Sequence, residues 1–354
     1  MTPEFWRDRP VFITGHTGFK GGWLSICLNR MGARLHGYSL APPTSPSLFE
    51  TATVETLFET SIIADIRDAT ALATAVAASE ASVVFHLAAQ PLVRESYATP
   101  VETFATNVMG TVHLLDAVRR AGRACSVVVV TTDKCYENQR WVWPYRESDP
   151  LGGDDPYSGS KACAEIVTAA YRRSFLAAAQ VNVATARAGN VIGGGDWAAD
   201  RLVPDFLRAL DAGDELVIRS PNATRPWQHV LEPVAGYVTL AEKLATGRAE
   251  YADAWNFGPA QRDAQTVGAI VAQLSVAQPG ARWRVSSAPR LHEAAMLSLD
   301  SAKAAATLHW HPRWRLATAL EQCLAWHRRW RAGDDMLAVS REHVAEYVTA
   351  PVLA

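Results

Sequence analysis

The chain is poor in cysteine, in long apolar runs and in net charge, and each shortage excludes a class of protein. Only five of its 354 residues are cysteine (Cys27, Cys125, Cys135, Cys163, Cys323). They form an odd, dispersed set with no Cys-x-x-Cys pair, the pattern of reduced thiols in a cytoplasmic protein. No apolar run approaches the roughly 20 residues of a membrane span. Glu4, Arg7, Asp8 and Arg9 leave the N-terminus without the apolar core of a secretion signal. Thirty-four basic and 36 acidic residues give a formal charge of −2. That balance offers no electrostatic reason to expect nucleic acid or an anionic membrane as partner. Internal repeats and low-complexity segments are absent too.

What is present is the composition of a soluble globular chain, 49% apolar and 20% charged, long enough for one large domain or two modest ones. Its first half alternates β-branched runs with helical patterns. Pro10-Val11-Phe12-Ile13-Thr14 reads as a buried strand and stops at Gly15. Gly15-His16-Thr17-Gly18-Phe19-Lys20-Gly21 then leads into an apolar helical pattern from Trp23. Strand, glycine loop and helix together are what a dinucleotide site needs. The glycines give a tight turn, backbone approach to a pyrophosphate and close helix packing, with the helix N-terminus facing the phosphates. The spacing is G-x-x-G-x-x-G and no Gly-Lys-Ser/Thr follows, which argues against a nucleotide-hydrolysing loop.

Further strands are expected at 35–40, 61–66, 82–90, 125–132 and 181–187, with helices over 100–121 and 156–176. The alternation predicts an α/β fold, a doubly wound Rossmann-type parallel sheet. Tyr38, Ser39 and Leu40 stand where a NAD site usually has an acidic residue, so the second strand leaves NAD against NADP open. Asp65, followed by Ile66, ends the third strand and can accept from an adenine amino group. The small residues after His86, Leu87-Ala88-Ala89-Gln90, would let backbone lie against a cofactor, while His86 itself reads as a packing residue. Beyond residue 188 tryptophan becomes frequent and elements shorten. Helices are expected over 201–212, 232–245, 266–274 and 317–331, and the last twenty residues are expected to pack peripherally. This implies a smaller, mixed α/β C-terminal substrate domain. Residues 1–188, with 229–258 returning to them, form the nucleotide-binding part; 189–228 and 259–354 form the other.

Two clusters carry chemistry. Tyr157 and Lys161 lie one turn apart on a helix that opens at Pro156, so the ammonium can favour the phenolate. Thr132, Asp133 and Lys134 follow the most β-branched strand, and catalysts on such sheets sit at the carboxyl ends of strands.

With the glycine loop, these residues resemble the extended short-chain dehydrogenase/reductase family acting on nucleotide sugars. The likeness extends over nearly the whole chain. Thr132-Asp133-Lys134-Cys135-Tyr136-Glu137-Asn138, Gly193-Gly194-Gly195-Asp196-Trp197 with Asp200-Arg201, and Arg225-Pro226-Trp227-Gln228-His229-Val230 narrow it to the 4,6-dehydratases, in the branch that takes CDP-glucose. The resemblance implies oxidation of CDP-D-glucose at C4, loss of water across C5 and C6, and return of hydride to C6, on the way to deoxyhexoses of bacterial surface polysaccharide. It favours NAD, held by Gly15, Thr17, Gly18, Phe19, Lys20, Gly21, Asp65, Ile66, Leu87, Ala88, Ala89, Asn107, Tyr157 and Lys161. It implies that Tyr157 takes the C4 hydroxyl proton, Thr132 bonds the C4 oxygen and Asp133, kept protonated, donates to the departing C6 hydroxyl. Lys134 stands where most hexose 4,6-dehydratases carry glutamate, the base for the C5 proton; Tyr136 or a water is the alternative base. Gln90, Asn190, Arg201, Arg225 and Trp227 resemble substrate-binding positions, and Trp227 serves equally as core filling. A homodimer, or a dimer of dimers, paired through the 100–121 and 156–176 helices is implied as well. His309-Trp310-His311 lacks further ligands, so no metal is expected. An epimerase, a dehydratase for another nucleotide sugar, and a non-catalytic NAD-binding relative are the alternatives.

Overall fold

The computed structural model describes residues 1–286 and 297–353. Seven strands form one parallel sheet: β1 (Pro10–Thr14), β2 (Arg34–Ser39), β3 (Phe58–Ile63), β4 (Val83–His86), β5 (Cys125–Val130), β6 (Val181–Ala188) and β7 (Ala254–Phe257), in the order β7-β6-β5-β4-β1-β2-β3. Every residue of β5 is buried, as its unbroken apolar run requires of a strand covered on both faces. The helices include α1 (Phe19–Arg30), α2 (Ala69–Ser79), α3 (Gly110–Ala121), α4 (Pro156–Tyr171), α5 (Leu202–Ala212), α6 (Leu231–Leu244), α7 (Leu316–Ala332) and α8 (Met336–Thr349).

Register brings the strand ends together. Thr14 pairs with His86, His86 with Val129 and Val129 with Thr185. The segments after β1, β4, β5 and β6 therefore leave the sheet along one edge. The order reverses beside β1, which puts a crevice between the loops after β1 and β4. The helix expected over 100–121 is interrupted by a π-helical turn, Ala105–Met109, and the one from Pro156 ends in another, Arg172–Leu176.

Three expectations need correction. The third strand runs over Phe58–Ile63, three residues earlier than expected. It is an edge strand with Glu59, Thr60, Ile62 and Ile63 exposed, so the apolar run that marked it was not a burial pattern. Ile66 instead leaves the sheet and packs at Gly110. The C-terminus is not peripheral: Val339, Val344 and Tyr347 of α8 are buried in the largest apolar cluster, against residues of α1. Packing thus places α8 with the sheet half, whereas the sequence-based division assigned it to the substrate half. Trp255, Trp310 and Trp326 join that same cluster.

Glu232 ties these parts together. Its carboxylate accepts from the backbone N–H of Arg313 (3.0 Å) and Trp314 (2.7 Å) and from the Tyr347 hydroxyl (2.7 Å). Burial pushes it up to about 7. A folded value above the unfolded one means that stability from this group is complete below about pH 4.5 and is lost as pH rises through about 7, on the order of 3 kcal/mol in all. The unfolding free energy of the wild type should fall relative to Glu232→Gln across that window in urea titrations.

Candidate active site

Loop 131–136 leaves β5 toward the crevice, and α4 runs past it. Asp155 caps α4 by accepting from Ser158 N–H at 2.9 Å, and Pro156 occupies its first turn. This start sets Tyr157 and Lys161 on the buried face, 8% and 7% exposed. Lys161 Nζ donates to Val130 O at 3.2 Å, fastening the helix to the end of β5. Thr132 caps the short turn Asp133–Cys135. Its hydroxyl donates to Asp133 Oδ1 at 3.0 Å and also bonds the Tyr157 phenol. Asp133 is 1% exposed, and its Oδ2 is buried without a hydrogen-bond partner. Lys134 Nζ lies 3.6 Å from Asp133 Oδ1 and 3.4 Å from Asn190 Oδ1.

Electrostatics follow from burial. It pushes Tyr157 up to about 12, opposed by the Thr132 hydrogen bond. It pulls Lys161 down to about 8, opposed by the negative charge of Glu165. Lys20 falls to about 7 through burial, with the like charges of Arg201, Lys161 and Lys134 adding to the effect. His86 is pushed down to about 3 by burial and hydrogen-bonds Thr14 (2.7 Å) and Thr111 (3.1 Å), an interior residue as expected.

One cleft of about 1070 Å³ collects most of the expected residues. Gly15, Thr17, Gly18, Phe19, Lys20 and Gly21 line it with Asp65, Ile66, Leu87, Ala88 and Ala89. So do Thr132, Lys134, Tyr157 and Lys161, and Asn190, Arg201, Arg225 and Trp227. Arg201, just before α5, donates to Asp196 Oδ2 at 3.0 Å. Arg225 is buried and donates to Thr224 O.

Three expected site residues do not line the cleft: Asp133, buried between Thr132 and Lys134, which do line it, and Asn107 and Gln90. Asn107 is buried behind it, donating to Gln90 O (3.1 Å) and Ser160 Oγ (2.8 Å) and accepting from Gln90 N–H (2.8 Å). The Gln90 side chain donates to Thr103 and accepts from Leu92 N–H. Both brace the loop after β4, because the π-helical turn at 105–109 aims Asn107 at that backbone. The Asp65 carboxylate is engaged by the Arg67 guanidinium at 2.6 Å, which competes with an adenine contact. Tyr136, the alternative base, has its hydroxyl committed: it donates to Asn256 Oδ1 and accepts from Arg187 Nη1, each at 2.7 Å. Burial pushes it well up. Trp227 is 4% exposed and donates to Gln265 O, filling core among Ile192, Val203 and Ile270.

The sequence reading missed Arg94 and Arg219, which both reach Asp200 Oδ1 (3.1 and 2.5 Å) across the cleft mouth. No motif marks them, since the three are brought together only by the fold. It also passed over Gly189, where a Cβ would sit 2.5 Å from Pro226 Cγ and 3.1 Å from Asp133 Oδ2.

The glycine loop fits a dinucleotide. A Cβ on Gly18 would meet nothing nearer than Gly15 O at 3.3 Å, so the lack of a side chain leaves the N-terminus of α1 open for phosphate oxygens. Gly15 has φ +76°, and Gly21 brings helix and loop together, since its Cβ would lie 2.1 Å from Gly15 O. Gly21→Ala must push α1 off the loop. We expect it to cost about 1–3 kcal/mol and to weaken dinucleotide binding about tenfold or more, measured by thermal unfolding and by cofactor titration.

Comparison with known proteins agrees with this geometry. Residues 12–323 match the family model described as GDP-mannose 4,6 dehydratase. The chain is 50% identical to the CDP-glucose 4,6-dehydratase of Salmonella typhimurium over 98% of each protein. Among solved structures it is similar to DesIV, a dTDP-glucose 4,6-dehydratase from Streptomyces venezuelae with NAD bound, at 25% identity and TM-score 0.76, covering 92% of this chain and 99% of that one. MoeE5, solved with UDP-glucuronic acid and NAD, is 26% identical at TM-score 0.76, covering 90% and 99%. With its seven-stranded parallel sheet and its Tyr157/Lys161 pair beside a glycine loop, the chain belongs to the GDP-mannose 4,6-dehydratase family of extended short-chain dehydrogenase/reductases.

Proposed function

We propose that this protein is a hydro-lyase that converts CDP-D-glucose to CDP-4-keto-6-deoxy-D-glucose. The observation that carries the reading is Asp133: a carboxyl buried at the end of β5, its Oδ1 held by Thr132 and its Oδ2 left without a partner. Removing water from C6 needs an acid for the departing hydroxyl, which simple oxidation or epimerisation at C4 does not. The 50% identity to a CDP-glucose 4,6-dehydratase supports both the reaction and the nucleotide.

NAD, bound at the glycine loop, supplies the hydride chemistry. The protein's residues move the protons. Tyr157 takes the proton of the C4 hydroxyl, with Thr132 hydrogen-bonded to the phenol and placed to bond the same sugar oxygen. Lys161, one turn along α4, supplies positive charge that favours the phenolate. Lys134, which lines the cleft beside Asn190, removes the C5 proton; the Tyr136 hydroxyl is committed to Asn256 and Arg187 and is not free for that role. Asp133 delivers a proton from Oδ2 to the leaving C6 hydroxyl. Asn190, Arg201 and Arg225 hold the diphosphate, for which the planar arginine fork is suited.

By this reading 1–188 and 229–258 hold the cofactor, and most of the remainder holds the nucleotide sugar. The chain acts as a homodimer in the cytoplasm, supplying deoxyhexose synthesis for surface polysaccharide. Val101 (75% exposed), Met109 (46%), Ile166 (57%) and Phe175 (49%) lie on the 100–121 and 156–176 helical segments, an apolar surface that a second copy would cover. Among the described residues no helix is long and apolar enough to cross a membrane.

The test is incubation with CDP-, UDP-, dTDP- and GDP-glucose, followed by mass spectrometry. Loss of one water from CDP-glucose is the expected result. Preference for another nucleotide would overturn the substrate, and a C4 epimer with its C6 hydroxyl intact would overturn the reaction.

A further inference from the structure

Directly behind the catalytic segment lies a buried ion pair that the chemistry above does not use. Glu165 of α4 and Arg187 of β6 are each 3% exposed, and they meet through Arg187 Nε to Glu165 Oε1 and Nη2 to Oε2, both 2.9 Å. The remaining lone pairs of the carboxylate take hydroxyls from the residue after β5 and from β6. Thr131 Oγ1 donates to Oε1 at 2.5 Å and Thr185 Oγ1 to Oε2 at 2.6 Å. The guanidinium uses Nη1 on the Tyr136 hydroxyl, 2.7 Å, and on Glu147 O, 3.3 Å.

The attachment points matter. Thr131 immediately precedes Thr132-Asp133-Lys134, and Tyr136 closes the same loop. Glu165 sits one turn beyond Lys161 and two beyond Tyr157, on the same face of α4. We propose that the Glu165–Arg187 pair is the positioning device of the reaction. It clamps both ends of the loop carrying Thr132, Asp133 and Lys134, and fixes that loop against the helix carrying Tyr157 and Lys161. The proposal rests on the dehydratase reading for its kinetic consequences, but its structural content does not.

A buried ion pair is a poor source of stability, because desolvation offsets most of the attraction. Its use here is geometric and electrostatic. The pair is the only feature described above that touches both ends of the catalytic loop and the catalytic helix at once. Charged and titratable groups face Lys161 from several elements: Glu165 on α4, Cys135 after β5, His86 on β4 and Lys20 on α1. Glu165 favours the charged ammonium, and Lys20 opposes it.

Three variants test this. Thr131→Val removes one end of the clamp without unpairing a charge. Turnover of CDP-glucose should fall about tenfold or more with KM unchanged, and Thr131→Ser, which restores the hydroxyl, should recover it. Glu165→Gln should lower the pH at which Lys161 titrates by about one unit, read by NMR on lysine-labelled protein with no substrate added. Wild-type turnover in Thr131→Val would overturn the clamp, and an unmoved Lys161 titration in folded Glu165→Gln would overturn the electrostatic half. If Glu165→Gln does not fold, the Thr131 pair decides the proposal. If wild-type protein leaves CDP-glucose untouched, the dehydratase reading fails and the Lys161 titration still judges the pair.

Discussion

Asp133→Asn should lower dehydration by about 10²–10⁴-fold, equivalent to about 3–5 kcal/mol of barrier, while oxidation at C4 continues. Asparagine keeps the Oδ1 that accepts from Thr132 and replaces the buried, unpartnered Oδ2, the oxygen proposed to deliver the proton, with an amide nitrogen that cannot act as an acid. The substitution is nearly isosteric in a site where Gly189 leaves little slack: a Cβ there would already stand 3.1 Å from Oδ2. The loop should therefore keep its shape and the loss should be chemical. A C4-keto sugar that still carries its C6 hydroxyl should build up on the enzyme. Rapid quenching and mass spectrometry would detect it at the mass of the substrate less one hydrogen molecule. Full turnover by the variant would remove Asp133 from the mechanism. Loss of C4 oxidation as well would make it a structural support of Thr132.

Much of this site could be read from the chain because its parts are local. The glycine loop, Tyr157 with Lys161, and Thr132-Asp133-Lys134 are each a short segment whose spacing states its own geometry. The structure places the glycine loop and Thr132-Asp133-Lys134 after β1 and β5, with β4 between them, and carries Tyr157 and Lys161 past the second on α4, because parallel β-α units deliver their loops to one edge. What the chain concealed is what depends on contacts distant in sequence. Asn107 looked like a cofactor contact, but a π-helical turn aims it at Gln90 and Ser160. Tyr136 remained a candidate base until Arg187 and Asn256, 51 and 120 residues away, proved to hold its hydroxyl. The third strand lies earlier than its apolar run suggests because an edge strand exposed on both faces has no alternation to read. The last helix looked peripheral because its few apolar residues gain meaning only against α1 and Glu232.

Tyr157→Phe should reduce turnover of CDP-glucose by about 10²–10⁴-fold and also change the shape of its pH dependence. In the wild type, burial sets the phenol at about 12 and the Lys161 ammonium at about 8. The working form needs the phenol without its proton and the ammonium with it. Below about 8 each unit of pH multiplies the phenolate fraction tenfold while Lys161 stays charged, so the rate should climb. Above that value Lys161 gives up its proton as fast as the phenolate gains population, and the two effects cancel. A rise that bends to a plateau near pH 8 is therefore the expected profile of C4 oxidation, read as cofactor reduction in a single turnover, and the bend belongs to Lys161. Phenylalanine keeps the ring and its packing against the cleft but has no proton to lose, so the residual rate should no longer climb with that phenol. Lys161→Met separates the two groups. It should keep the rising limb and lose the bend, at a rate lowered by the absent positive charge. A wild-type profile flat from about pH 6 to 9 would mean that Tyr157 is not the group taking the C4 proton.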